Sequence, residues 1–199
     1  MPSFYVVLGA TLVGDYTGVE FRSTIVDYGI DKGLELDRAT HLVTFSSIGQ
    51  LVGRIVVPLL ADCLPSTRRP LYAFSFVVFG VCMVTIPQVT FMLPVAALAT
   101  LVGISQGYIF CIRYVLLADY LGVERTAASS GIIGVGMVPL SLVSPVIIGQ
   151  FRDATGSYDN YYRLLGGLNI VAAILFGVYD FYQTKIARDV RSPSALTQA

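Results

Sequence analysis

The sequence is poor in charged side chains. Only 13% of its 199 residues are Asp, Glu, Lys or Arg, whereas soluble domains carry roughly 25%. Hydrophobic residues make up 55% of the chain, and the mean hydropathy is +0.72. A water-soluble fold of this composition would expose large apolar patches, which favour aggregation. The composition therefore argues against a soluble enzyme and predicts a protein that resides in a lipid bilayer.

Residue types that serve metal, redox or nucleic-acid chemistry are also scarce. The three cysteines (Cys63, Cys82 and Cys111) are scattered without metal-ligand spacing, and His41 is the single histidine. The formal net charge is zero, so no nucleic-acid partner is expected. The H-E-x-x-H motif of zinc hydrolases is missing. We therefore predict no metal site, no cofactor and no enzymatic activity.

Six segments are long and apolar enough to cross a bilayer. A hydrocarbon core of about 30 Å needs roughly 20 helical residues, and the apolar runs are continuous rather than alternating, which favours helices over a β-barrel. We predict an all-α membrane protein in which residues 1–184 form a six-transmembrane-helix bundle and residues 185–199 form a polar tail. The predicted spans cover about residues 4–28, 39–60, 71–87, 92–120, 127–150 and 162–182.

The distribution of Lys and Arg indicates the orientation of the bundle. Cytosolic loops are enriched in these residues, and six crossings place both termini on one side. Six Lys and Arg lie on the side of the termini and four on the opposite side, so both termini are expected in the cytosol. The six are Arg68, Arg69, Arg125, Lys185, Arg188 and Arg191, and the four are Lys32, Arg38, Arg152 and Arg163.

Several charged residues fall inside predicted spans. A charge at the bilayer centre costs about 2.5–3.5 kcal/mol on insertion scales, so such groups pair or face a polar cavity. Arg54 lies near the middle of the second span, which favours a cationic site for an anion. Asp15 and Arg22 are seven residues apart on one face of the first helix, and Glu20 points elsewhere. For these three residues, an internal salt bridge remains the alternative to a cavity role.

The fourth and fifth spans carry further signals. Arg113 and Asp119, six residues apart near the end of the fourth span, favour a structural or gating pair. Gly103 and Gly107 form G-x-x-x-G, which allows a neighbouring helix to approach closely. The glycines and prolines of the fifth span fit tight packing, and a helix that moves during a transport cycle is the alternative.

Three stretches occur in an order that is typical of one family. They are residues 45–54 (FSSIGQLVGR), residues 103–108 (GISQGY) with 117–125 (LADYLGVER), and residues 144–149 (SPVIIG) with 153–159 (DATGSYD). They resemble the eighth, tenth and eleventh helices and adjoining loops of monocarboxylate transporters, a family of the major facilitator superfamily. The chain thus resembles the C-terminal six-helix half of that fold.

The resemblance implies transport of a small organic anion, a monocarboxylate, by alternating access, often with a coupled proton and in the plasma membrane. In the family, an aspartate and an arginine four residues apart on the eighth helix serve proton coupling and carboxylate binding. Arg54 matches the arginine, whereas Gln50 stands at the aspartate position and cannot take up a proton at physiological pH. Substrate binding is assigned to Arg54 and Gln50, and a coupling role would fall to Asp15 or Glu20 instead.

The length of the chain departs from the family. Its members have about twelve spans in two six-helix halves, with the substrate site between the halves, whereas this sequence holds six. The expected partners are therefore the small anion, the lipid bilayer, an N-terminal six-helix half and, as in some relatives, a single-span accessory protein. The alternative is a truncated or non-transporting six-span protein with a binding or regulatory role.

Overall fold

The computed structural model describes residues 2–62 and 68–191, and this part of the chain is almost entirely helical. It contains six α-helices, a single turn of 3₁₀-helix at Ile86–Gln88 and no strand. Cys63 and residues 192–199 of the predicted tail lie outside the described residues. The helices are α1 (Pro2–Asp31), α2 (Leu36–Asp62), α3 (Arg68–Thr85), α4 (Met92–Leu121), α5 (Val123–Thr155) and α6 (Asp159–Arg191). The all-α prediction is confirmed.

The helices extend beyond the predicted spans at most of their ends. Helix α3 begins at Arg68, with Pro70 in its first turn, where a missing backbone N–H is tolerated. Helix α6 continues to Arg191, so the first residues of the predicted tail are helical. Gly156, in the left-handed conformation at φ 65°, ends α5 by donating its N–H to the Arg152 carbonyl.

Five of the helices, α2 to α6, are long and apolar enough to cross a membrane by length and composition. Helix α1 is 30 residues long but does not meet this criterion, and Asp15, Glu20 and Arg22 interrupt its apolar stretch. It packs against α2, α4, α5 and α6. A crossing of the bilayer by α1 stays a prediction.

Glycines allow two helix pairs to pack closely. In the α3–α6 pair, a Cβ on Gly80 would lie 2.8 Å from the Gly166 carbonyl oxygen, and a Cβ on Gly166 would lie 2.8 Å from the Gly80 carbonyl oxygen. In the α2–α4 pair, four glycines alternate across the contact, and a Cβ on any of them would overlap a backbone carbonyl of the facing helix. These are Gly49, Gly53, Gly103 and Gly107. Small residues at such contacts let backbones approach, which stabilises helix pairs in lipid.

Buried tyrosines join α1 to the helices around it. The hydroxyls of Tyr72 and Tyr162 lie 3.5 and 3.3 Å from the hydroxyls of Thr11 and Thr24 on α1. Tyr28 of α1 donates a hydrogen bond of 3.1 Å to the Ile86 carbonyl. Buried phenols need such partners, so these contacts fix the position of α1 within the bundle.

The edges of the bundle are apolar and exposed. Helix α5 has few buried side chains, among them Ser129, Ile133 and Ser144, and it presents exposed Val, Leu and Ile along much of its length. Helix α2 likewise exposes Ile48, Leu51 and other aliphatic residues. Exposed apolar surface on this scale is unusual for a soluble monomer and suits contact with lipid or with further helices.

Candidate functional site

Arg54 of α2 lies on an exposed part of the bundle, beside an aromatic ring of α4. Its guanidinium carbon is 4.7 Å from the centroid of the Phe110 ring, and its Nη2 donates to Gln50 Oε1 at 3.4 Å. No carboxylate forms an ion pair with Arg54 among the residues that the structure describes. Within the described part of the chain, the positive charge of the guanidinium is therefore not compensated by a carboxylate.

A second arginine, Arg113, also lies against the Phe110 ring. The guanidinium carbon of Arg113 lies 4.0 Å from the Phe110 centroid and 4.6 Å from the Tyr114 centroid. Cations over aromatic faces are stabilised by the ring quadrupole. The guanidinium groups of Arg54 on α2 and Arg113 on α4 thus both lie against the Phe110 ring.

Asp15 of α1 pairs with Arg113. Arg113 Nη1 donates to Asp15 Oδ2, and Arg113 Nη2 donates to the Tyr114 hydroxyl at 2.6 Å. The two side chains of the ion pair are only 10% and 15% exposed. Asp15, Arg113 and Tyr114 line a cavity of about 110 Å³ together with residues of α5, which has room for a few water molecules.

Two glutamine side chains connect α2 to the centre of the bundle. Gln50 Nε2 donates to Gln106 Oε1 at 3.1 Å, and Gln106 is buried on α4. A Cβ on Gly18 of α1 would overlap the Gln106 amide. Gly18 therefore leaves room for the Gln106 side chain. Gln106 accepts a hydrogen bond from Gln50, and Gln50 accepts one from Arg54.

Arg22 is exposed on α1, two helical turns from Asp15 on the same face of that helix. Glu20 faces another way: the Tyr161 hydroxyl of α6 donates to its Oε2 at 2.7 Å, and its side chain is buried. The structure thus separates Glu20 from the arginines, as its position on the helix indicated.

Asp119 is exposed at the end of α4, and no ion pair among the described residues includes it. The pair that Arg113 forms is with Asp15, 98 residues away in sequence, and not with Asp119 on its own helix. The expected pair of Arg113 and Asp119 is therefore replaced by a bridge between helices.

The close contact between α2 and α4 positions the site. The two helices meet at their glycines, so Gln50 and Arg54 reach Gln106 and Phe110 directly. Residues 103–107 also match the G-x-S-x-G pattern of hydrolase nucleophiles, which needs a strand–turn–helix. Here these residues lie inside continuous α4 with Ser105 buried, so the pattern serves packing.

Sequence reasoning missed three contributors to the site: Phe110, Gln106 and Tyr114. Gln106 lies inside the G-x-x-x-G pattern of an apolar span, which was a usable signal. Phe110 and Tyr114 are ordinary aromatic residues of a membrane helix, and only the neighbouring arginines distinguish them. Within residues 2–62 and 68–191, no group of three or more His, Cys, Asp or Glu is arranged to hold a metal ion.

Comparison with known proteins gives one match that covers nearly the whole chain. Residues 4–195 match the family model of the Major Facilitator Superfamily. Similar curated proteins carry the names of transporters.

Three such relatives are monocarboxylate transporters by name. The chain is 28% identical to mouse monocarboxylate transporter 12 over 180 residues, which are 89% of this chain and 37% of the relative. It is 25% identical to human monocarboxylate transporter 1 over 156 residues, 77% of this chain and 30% of the relative. It is 31% identical to zebrafish monocarboxylate transporter 10 over 117 residues, 58% of this chain and 23% of the relative. The chain therefore spans well under half the length of these relatives.

Proposed function

Because the chain belongs to the major facilitator superfamily, we propose that it forms part of a carrier that moves a small carboxylate anion across the bilayer by alternating access. It is a multi-pass integral membrane protein with a transport role, and its relatives are transporters rather than enzymes. The names of the relatives indicate a monocarboxylate as the first substrate to test.

The proposal rests on the exposure of Arg54 and on its lack of a carboxylate partner among the described residues. This side chain is a cation within a membrane-spanning helix. A charge in that position costs about 2.5–3.5 kcal/mol. The planar guanidinium matches a carboxylate with two parallel hydrogen bonds, and Gln50 and Phe110 hold it in place.

The exposed position of Arg54 suits a site completed by further helices. In this proposal, an N-terminal six-helix half faces the arginines, and the substrate lies between the halves, as in other carriers of this kind. The match covers only 37% of mouse monocarboxylate transporter 12, which supports a functional unit longer than this chain. The proposed setting is the plasma membrane, with both termini in the cytosol and a single-span protein as an accessory partner.

A coupled proton is assigned to Asp15 in this proposal. Gln50 has no ionisable group, whereas Asp15 already pairs with Arg113 beside the Phe110 ring. Protonation of Asp15 would release Arg113 from its ion pair, which changes the charge of the site by one unit.

The experiment is uptake into proteoliposomes that hold the full-length gene product. Labelled lactate is compared with lactamide, its neutral amide of nearly the same shape, and with vesicles that lack protein. We expect saturable uptake of lactate and little uptake of lactamide. Equal rates with and without protein, for lactate, pyruvate and related anions, would contradict transport and favour a binding or regulatory role.

A further inference from the structure

A groove of about 370 Å³ lies between the start of α3 and the last turns of α6. Its lining residues all belong to these two helices, whereas Arg54 and Phe110 belong to α2 and α4. Helices α2 and α3 both pack against α4 but hardly touch each other. The groove is therefore separate from the surface around Arg54.

The groove runs from the edge of the membrane-spanning part into its interior. By length and composition, the spanning stretch of α3 starts at Arg68 and that of α6 ends at Lys185. Arg69 and Thr184, which line the groove, thus lie one residue inside these boundaries. Gly177 lies about 10 Å deeper along α6, at a rise of 1.5 Å per residue. One end of the groove is thus at headgroup level and the other is in the hydrocarbon.

The polar end of the groove presents a guanidinium. Arg69 Nη1 lies 3.7 Å from Asp180 Oδ1, and the two side chains are 43% and 20% exposed. The cation is therefore the more accessible partner of this ion pair. A guanidinium has five N–H donors, so Arg69 can pair with Asp180 on one side and with a phosphate on the other.

The ends of α3 and α6 beside the groove carry more positive than negative charge. Five basic and two acidic residues give a net charge of +3, and they are Arg68, Arg69, Asp180, Lys185, Arg188, Asp189 and Arg191. The charged residues at the ends of the other helices nearby in sequence do not line the groove, and they are Asp62, Asp119, Glu124 and Arg125. Basic groups at a membrane surface attract anionic lipids.

The deeper part of the groove is apolar and open. Ala73 and Phe181 line it, and Phe181 is 70% exposed. A Cβ on Gly177 would meet no atom within 4 Å, so there is space beside the backbone of α6. An acyl chain can fill this space and cover apolar surface, while a free phosphate ion cannot.

We propose that this groove binds an anionic phospholipid, with the phosphate at Arg69 and an acyl chain along Ala73, Gly177 and Phe181. In the proposed orientation, the groove faces the cytosolic leaflet, which holds the anionic lipids of a plasma membrane. The inference does not depend on which anion the carrier moves.

The test compares palmitoyl-oleoyl phosphatidylglycerol with palmitoyl-oleoyl phosphatidylcholine. The acyl chains are identical and both headgroups carry a phosphate, but the choline cation compensates its charge. Binding of each lipid to the full-length gene product in detergent is measured by native mass spectrometry. We expect one site that binds phosphatidylglycerol at least about tenfold more tightly, since hydrogen bonds to charged groups are worth about this much.

Variants separate lipid binding from a purely structural ion pair. Arg69→Gln should bring the two lipids to within about twofold of each other, whereas Asp180→Asn should strengthen phosphatidylglycerol binding. The control Arg163→Gln, at an exposed residue near the opposite end of α6, should change neither.

A second pair of variants tests the apolar part of the groove. Gly177→Leu should fill it and weaken both lipids. Gly167→Leu should not, because its Cβ is equally unhindered but Gly167 does not line the groove.

Three results would overturn the inference. Equal affinity of the wild-type protein for the two lipids refutes it even if every variant misfolds. Equal losses in Arg69→Gln and Asp180→Asn would show that the ion pair only joins α3 to α6. Displacement of bound phosphatidylglycerol by millimolar inorganic phosphate would assign the site to free phosphate instead of a lipid.

Discussion

The close packing of α2 against α4 can be tested by adding one carbon atom at Gly107. A Cβ there would overlap the Gln50 carbonyl oxygen and lie 3.1 Å from the Arg54 backbone nitrogen. Both obstacles are backbone atoms, so no side chain can rotate away. Because non-bonded heavy atoms pack at about 3.5 Å or more, α2 has to move outward by roughly 1 Å.

The expected cost of Gly107→Ala follows from this displacement. Overpacking a tight contact costs about 1–3 kcal/mol, while alanine raises helix propensity by up to about 1 kcal/mol. Gly167→Ala gains the same propensity without a clash, since nothing lies within 4 Å of its Cβ position. Comparison of the two variants therefore isolates the packing cost of about 1–3 kcal/mol.

The assay is equilibrium unfolding in mixed micelles, followed by circular dichroism, together with substrate uptake. The same outward shift would stretch the 3.1 Å bond from Gln50 to Gln106 and draw Arg54 away from Phe110. Gly107→Ala should thus lose both stability and uptake relative to Gly167→Ala. Equal stability and equal uptake of the two variants would refute the close contact.

Two further predictions concern other contacts of the bundle. Gly166→Ala should be less stable than Gly167→Ala by about 1–3 kcal/mol in the same unfolding assay. The reason is that its Cβ would lie 2.6 Å from Val84 Cγ2 and 2.8 Å from a backbone carbonyl of α3. Equal stabilities of the two variants would contradict the α3–α6 contact. Asp15→Asn and Arg113→Gln should each lower the free energy of unfolding by about 3–5 kcal/mol, since each single change leaves a buried charge without its partner. The double variant should lose much less than the sum of the two losses. Strictly additive losses would show that the pair does not exist.

Much of the fold could be predicted because a bilayer restricts the possible structures. Continuous apolar runs of about 20 residues must be helices, and the turn residues between them indicated where the helices end. The close approach of α4 to a neighbour followed from Gly103 and Gly107. Gly49 and Gly53 have the same G-x-x-x-G spacing, but spacing within one helix does not specify which other helix packs against it.

The site was harder to predict, because its contacts join residues that are far apart in sequence. Arg113 was paired with Asp119, the nearest acid on its own helix, but positions six apart do not face each other on a helix. The acid that reaches Arg113 belongs to α1. The role of Phe110 depends on the positions of α2 and α4 together, which no pattern within a single segment contains.

Kinetics of Arg54→Lys test the central claim most directly. The full-length gene product, Arg54→Lys and the exposed control Arg163→Lys are reconstituted at equal amounts, and labelled lactate or the best-transported acid is supplied over a range of concentrations. Lysine keeps the charge but loses the paired donors of the guanidinium, so we expect kcat/KM for Arg54→Lys to fall at least about tenfold while the control is unchanged. Uptake by Arg54→Lys that matches the wild-type protein at every concentration would contradict the assignment of Arg54 to the substrate carboxylate.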